Sequence, residues 1–143
     1  FLESSVFNVP QSRKLLLAAQ KLGLPSKVHA DEIDPLGGSE LAGEIGAISA
    51  EHLIATRDSG IEAMAKAKTT ACLLPQTSLY LNKPFARARD MISAGVLRSV
   101  GSIEPGKLAD IVLWNADELP MLCYRMGTNQ VKKVIKRGRV AVK

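Results

Sequence analysis

Aromatic residues are scarce. Three Phe, two Tyr and one Trp make up 4% of the 143 residues. So few rings offer little platform for stacking bases, and nucleic acid is not expected as a partner. There are two cysteines, Cys72 and Cys123, set far apart. Their number and spacing suggest neither a disulfide framework nor a thiolate metal site, and they fit a reducing compartment. No apolar run approaches roughly 18 residues, so no membrane-spanning helix is predicted. The opening Phe1-Leu2-Glu3-Ser4-Ser5 has neither the basic nor the apolar region of a signal peptide. It also has no initiator Met, which points to a fragment or a processed chain. A Gly-rich phosphate loop is lacking too. Gly37-Gly38 does not fit G-x-G-x-x-G, which leaves a dinucleotide site unsupported. Length excludes one further thing: a complete (β/α)8 barrel needs roughly 200 residues or more, so these residues cannot close one alone.

What is present is an ordinary globular composition, 46% hydrophobic and 23% charged. The net charge of +5 is concentrated at the end, where Lys132, Lys133, Lys136, Arg137, Arg139 and Lys143 occur without an acid among them. Val131 to Val142 reads as two short strands about a turn at Arg137-Gly138, with the basic groups on a solvated face or edge. Before that, residues 10 to 95 alternate helix and strand. Helices are predicted over Pro10–Leu22, with Leu15, Leu16, Ala19 and Leu22 as the apolar face, then Asp34–Gly46, Ser59–Ala67 capped by Asp58, and Pro84–Ala94. Strands are predicted at Lys27–Ala30, within Gly46–Leu53, and at Thr69–Leu74, closed by Pro75. Such alternation indicates parallel βα units. After Val96 the chain becomes turn-rich, with a strand at Leu108–Trp114. The fold class is therefore α/β, with a partial (β/α) barrel segment over residues 1–96 and a small β-domain segment over 97–143.

Both histidines lie at the ends of predicted strands, His29 in Val28-His29-Ala30-Asp31-Glu32 and His52 in Ala50-Glu51-His52-Leu53. In a parallel barrel, the C-terminal strand ends form the active-site face, so two neighbouring strands would aim both imidazoles into one mouth. Imidazole is a good ligand for zinc or iron, and a carboxylate follows His29 directly. Strand alternation favours Asp31 over Glu32 as the same-face neighbour of His29. Ser78 and Tyr80 are expected in a loop bordering that mouth, and Cys72 as a small apolar group inside a strand.

Val28-His29-Ala30-Asp31-Glu32, Gly37-Gly38-Ser39-Glu40-Leu41-Ala42, Ser49-Ala50-Glu51-His52-Leu53 and Leu73-Leu74-Pro75 together resemble the imidazolonepropionase family of the amidohydrolase superfamily. Gly101-Ser102-Ile103-Glu104-Pro105-Gly106-Lys107-Leu108-Ala109-Asp110-Ile111-Val112 is similar to the closing signature of many amidohydrolases. The resemblance implies a TIM-like barrel of the metal-dependent type plus part of a small β-sandwich domain. It implies hydrolysis of the cyclic amide 4-imidazolone-5-propanoate to N-formimidoyl-L-glutamate, in histidine degradation. By carry-over, His29 is a metal ligand for one zinc or iron ion. Glu32 is catalytic and substrate-binding, and His52 is a catalytic group that orients water or polarises the carbonyl. The family further implies a cytoplasmic enzyme with a small-molecule substrate and no membrane partner, homodimeric when complete. Two family features have no match: the H-x-H pair of the first barrel strand, and the strand-8 Asp expected soon after Val96. A stretch of tens of residues is thus expected to be absent there, and these residues alone are expected to be inactive. The alternatives are a non-catalytic amidohydrolase remnant or binding module, and a cytosine-deaminase-like or dihydroorotase-like enzyme.

Overall fold

The computed structural model describes residues 1–95, 103–118, 121 and 128–142. It divides into two compact units, Phe1–Leu97 and Arg98–Lys143. The boundary expected at residues 96 and 97 lies outside the described residues, as do Gly101, Ser102, Cys123 and Lys143.

The first unit begins with α1 (Val9–Lys21). Asn8 and Gln11 form a reciprocal capping box there, and Pro10 sits in the first turn, where a missing N–H costs nothing. The buried face of α1 is the expected one only in part. Ser12 is buried and Leu16 packs on the core, whereas Leu15 is 60% and Leu22 80% exposed. Strands β1 (Lys27–Ala30), β2 (Ser49–His52) and β3 (Thr70–Cys72) then alternate with α2 (Gly38–Glu44) and α3 (Asp58–Ala67). All strand pairs are parallel, in the order β1-β2-β3, with Lys27 opposite Ser49 and Ser49 opposite Thr70. Leu2 forms a parallel bridge with Ala30 and donates its N–H to the His29 carbonyl at 3.1 Å. The first residues thus stand beside β1 on the side away from β2.

The pleat sorts the strands into two faces. Val28, Ala30 and Ala50 join Ala42, Ala47, Leu53, Ile61, Met64 and Met91 in the core beneath the helices. The register places Lys27, His29, Ser49, Glu51 and Cys72 on the opposite face, which is mostly polar. A core built from so many alanines closes only through near backbone contact. A Cβ on Gly43 would stand 2.5 Å from the Ala63 carbonyl carbon, so glycine is what lets α2 approach α3.

Several local expectations are corrected, the first being that α2 runs Gly38–Glu44 rather than Asp34–Gly46. Asp58 is not the cap of α3; Arg57 holds that position, and Asp58 pairs with Arg87 at 2.6 Å. Residues Pro75–Tyr80 form α4 rather than a loop, because Pro75 occupies the first turn of a helix as well as ending the strand. The last helix of the unit, α5, is shorter than expected, Ala88–Ser93, and inserts Met91 into the core.

The second unit holds one antiparallel sheet of β4 (Ile111–Trp114), β5 (Val131–Lys136) and β6 (Arg139–Val142), in the order β4-β5-β6. The turn falls at Arg137-Gly138, both at positive φ, which is the turn that suits hairpin twist. Asp110 fastens it. Its carboxylate accepts the Arg137 N–H at 2.7 Å and pairs with Lys136, while the Gly138 N–H reaches the Ala109 carbonyl at 3.0 Å.

Candidate active site

β1 and β2 end side by side, with Ala30 opposite His52. Ala30 faces the helices, so strict alternation would send His52 the same way and Glu32 with it. Neither goes there. Asp31 has φ 51°, His52 φ 71° and Leu53 φ 60°, all left-handed. Asp and His tolerate that conformation better than most residues, but each such residue still costs about 1–2 kcal/mol. The left-handed backbone at each strand end, Asp31 after β1 and His52-Leu53 at the end of β2, breaks the alternation. The side chains of Glu32 and His52 thereby meet that of His29.

The result is a tight cluster. Glu32 Oε2 lies 3.1 Å from His29 Nε2, and Glu32 Oε1 lies 3.1 Å from His52 Nδ1. The two imidazole centroids are 4.4 Å apart. One ligand atom from each of the three residues falls within 4.8 Å of the others. Despite those short separations, His29 Nε2 and His52 Nδ1 are both buried without a hydrogen-bond partner. Two ring nitrogens and a carboxylate brought together with no hydrogen bond between them leave acceptor lone pairs unmatched. A cation satisfies them. Two donors on one tetrahedral zinc stand about 3.3 Å apart, close to the separations found here. The donor set therefore fits zinc or iron. The His29 imidazole is held below its ordinary pKa, first by burial and then by His52, against the pull of Glu32 and Glu3. That direction favours the neutral imidazole, the form that ligates a metal.

The sequence reading favoured Asp31 over Glu32 beside His29, and the structure reverses this. Asp31 is 1% exposed and turned toward α2, where its carboxylate accepts the N–H of Gly38 at 3.0 Å and of Ser39 at 2.9 Å, and the Ser39 hydroxyl. It ties the end of β1 to the start of α2. Ser78 is buried in α4 and Tyr80 is 70% exposed, so neither stands as an open loop group. Cys72 ends β3 half-buried, with its thiol pKa pushed up by burial first and by Glu51 second.

One further residue joins the cluster. Glu3 is 6% exposed, and its Oε1 accepts the Glu32 N–H at 2.8 Å while lying 3.5 Å from His29 Nε2. Phe1 packs its ring on His29 with centroids 4.0 Å apart. No spacing rule links residue 3 to residue 29; only the strand bridge at Leu2 does.

Comparison with known proteins places these features among relatives. Residues 93–141 match the amidohydrolase family. The chain is 38% identical over 193 residues to the imidazolonepropionase of Bacillus velezensis, covering 99% of this chain and 46% of that protein. It is 39% identical over 188 residues to that of Bacteroides fragilis, covering 96% and 45%, and 37% identical over 192 residues to that of Bacillus thuringiensis, covering 99% and 45%. The chain thus spans about half the length of the curated relatives it matches. The first alignment runs over 193 positions against 143 residues, so at least 50 positions (193 minus 143) of that relative have no counterpart here. A crystal structure of an uncharacterized protein shares 11% identity at a TM-score of 0.39, over 96% of this chain and 50% of that one, too slight a likeness to bear on the fold. Over 99% of its length this chain is thus similar to part of the Bacillus velezensis imidazolonepropionase, and its later residues match the amidohydrolase family.

Proposed function

We propose that these residues form one side of the active site of a cytoplasmic, metal-dependent cyclic-amide hydrolase. It converts 4-imidazolone-5-propanoate and water to N-formimidoyl-L-glutamate, in histidine degradation. The observation that carries this reading is the convergence of His29, Glu32 and His52 on one buried point with two ring nitrogens lacking hydrogen bonds. The three parallel strands are then consecutive strands of a (β/α)8 barrel, whose other strands, second ligands and dimer interface belong to the complete enzyme.

His29, through Nε2, would hold the ion. Bound zinc or iron supplies Lewis acidity, which lowers the pKa of water and stabilises negative charge on an amide oxygen. Glu32 is placed to accept a proton from the attacking water and return it to the ring nitrogen as the C–N bond breaks. His52 orients the water or polarises the carbonyl, with its Nδ1 3.1 Å from Glu32 Oε1. With no H-x-H pair in the sequence, turnover is not expected from these 143 residues by themselves.

The test is a chimera in which residues 1–95 replace the matching stretch of the Bacillus velezensis enzyme. It is expected to bind one metal ion and to hydrolyse 4-imidazolone-5-propanoate. Glu32→Gln should cost about a hundredfold or more in kcat, and His29→Ala should remove the metal. A folded, metal-loaded chimera that leaves the substrate intact, or that is indifferent to both substitutions, overturns the reading.

A further inference from the structure

Glu3 lies outside the three residues that the strand ends bring together, yet it touches two of them. It is more than nine-tenths buried, an expensive place for a carboxylate. Oε1 accepts the Glu32 N–H at 2.8 Å and stands 3.5 Å from His29 Nε2, while Oε2 is buried with no hydrogen-bond partner. Glu32 follows left-handed Asp31, where the chain leaves the sheet; the Asp31 carbonyl accepts the Ala55 N–H at 2.8 Å, while the N–H of the same peptide turns to Glu3. The Glu32 N–H therefore depends on a side chain for its partner. Glu3 is held to the task by the Leu2–Ala30 bridge and by the Leu2 N–H on the His29 carbonyl.

We infer that Glu3 is a positioning residue: by holding the Glu32 backbone N–H, it sets where the Glu32 carboxylate stands between the two imidazoles. The inference rests on the reading of His29, Glu32 and His52 as the site, but its test uses neither metal nor substrate. A failure of hydrolysis and a failure of this inference are therefore separate results.

The experiment is NMR on the 143-residue chain, following exchange of the Glu32 amide and the ring signals of His29 and His52. In Glu3→Ala, exchange at Glu32 is expected to quicken about tenfold, as for loss of one hydrogen bond, and both ring signals are expected to move. Glu3→Gln keeps an acceptor at the same reach and is expected to restore slow exchange and the ring positions. Glu3→Asp, one methylene shorter, is expected not to. If Glu3→Ala does not fold, the Gln and Asp variants carry the comparison. Unchanged Glu32 exchange and ring signals in Glu3→Ala, or Gln and Asp variants that behave alike, overturn the inference.

Discussion

Asp31 and Glu32 are adjacent acids with opposite duties, and a single positive φ separates them. Asp31 serves the fold, satisfying two N–H groups at the start of α2 that would otherwise be orphaned inside the protein. Glu32 stands between the two imidazoles. Glycine at position 38 is part of the same arrangement, since a Cβ there would meet the Ala30 Cβ at 2.8 Å. Asp31→Ala should therefore destabilise the first unit by about 1–3 kcal/mol, the usual penalty for leaving buried donors unpaired. Asp31→Asn should cost less, because its amide oxygen still accepts one of the two. Urea unfolding of the three proteins checks this, and an Ala variant as stable as the parent would contradict it. At this scale the two histidines stood out in the sequence, since both fall where apolar alternation stops, whereas Glu32 entered only through the family resemblance. Asp31 was misread because alternation holds only while the strand lasts. Glu3 was illegible because its partner lies 29 residues on, and no local pattern reports a strand bridge.

At the level of elements, helix and strand order could be read from periodicity, whereas helix faces and short helices could not. The face of α1 is chosen by what α1 meets, so Leu16 packs inward and Leu15 is left outside. Helix α4 hid behind Pro75, which can end a strand and open a helix with equal ease. The hairpin of β5 and β6 was read correctly, but its fastening by Asp110 was not. That fastening depends on pH. The Asp110 carboxyl is held below its ordinary value of 3.8, chiefly by Lys136 and then by the Arg137 N–H. A carboxyl depressed in the folded state adds stability above its unfolded pKa, and the contribution is lost as pH falls through the folded one. Asp110→Asn is therefore expected to lower the thermal midpoint of the second unit at neutral pH and to make little difference near pH 2. Trp114, the single tryptophan, lies on β4 and reports that midpoint by fluorescence. An equal deficit at both pH values would mean that the carboxylate charge plays no part.

At the scale of the whole molecule, apolar surface is abundant. Among the described residues, Phe1, Leu22, Leu24, Phe85 and Ile103 are exposed, and β3 is paired on one side only. Open strand edges and apolar patches favour association. Light scattering at tens of micromolar is expected to give a mass above the 15.4 kDa of one chain. A mass of one chain at every concentration would mean that these surfaces are better solvated than their composition suggests. No described helix is long and apolar enough to cross a membrane.

The two-faced pleat of the first sheet carries a consequence for how this sequence can drift. Positions 28, 30 and 50 lie in the alanine-rich core, where an added methylene has no room. Positions 27, 49 and 51 project from the other face, among polar neighbours. A scan of single substitutions scored by stability should therefore show tolerance at 27 and 51 and little at 28, 30 and 50. That alternation should be lost at Asp31 and again at His52, where the backbone itself changes hand.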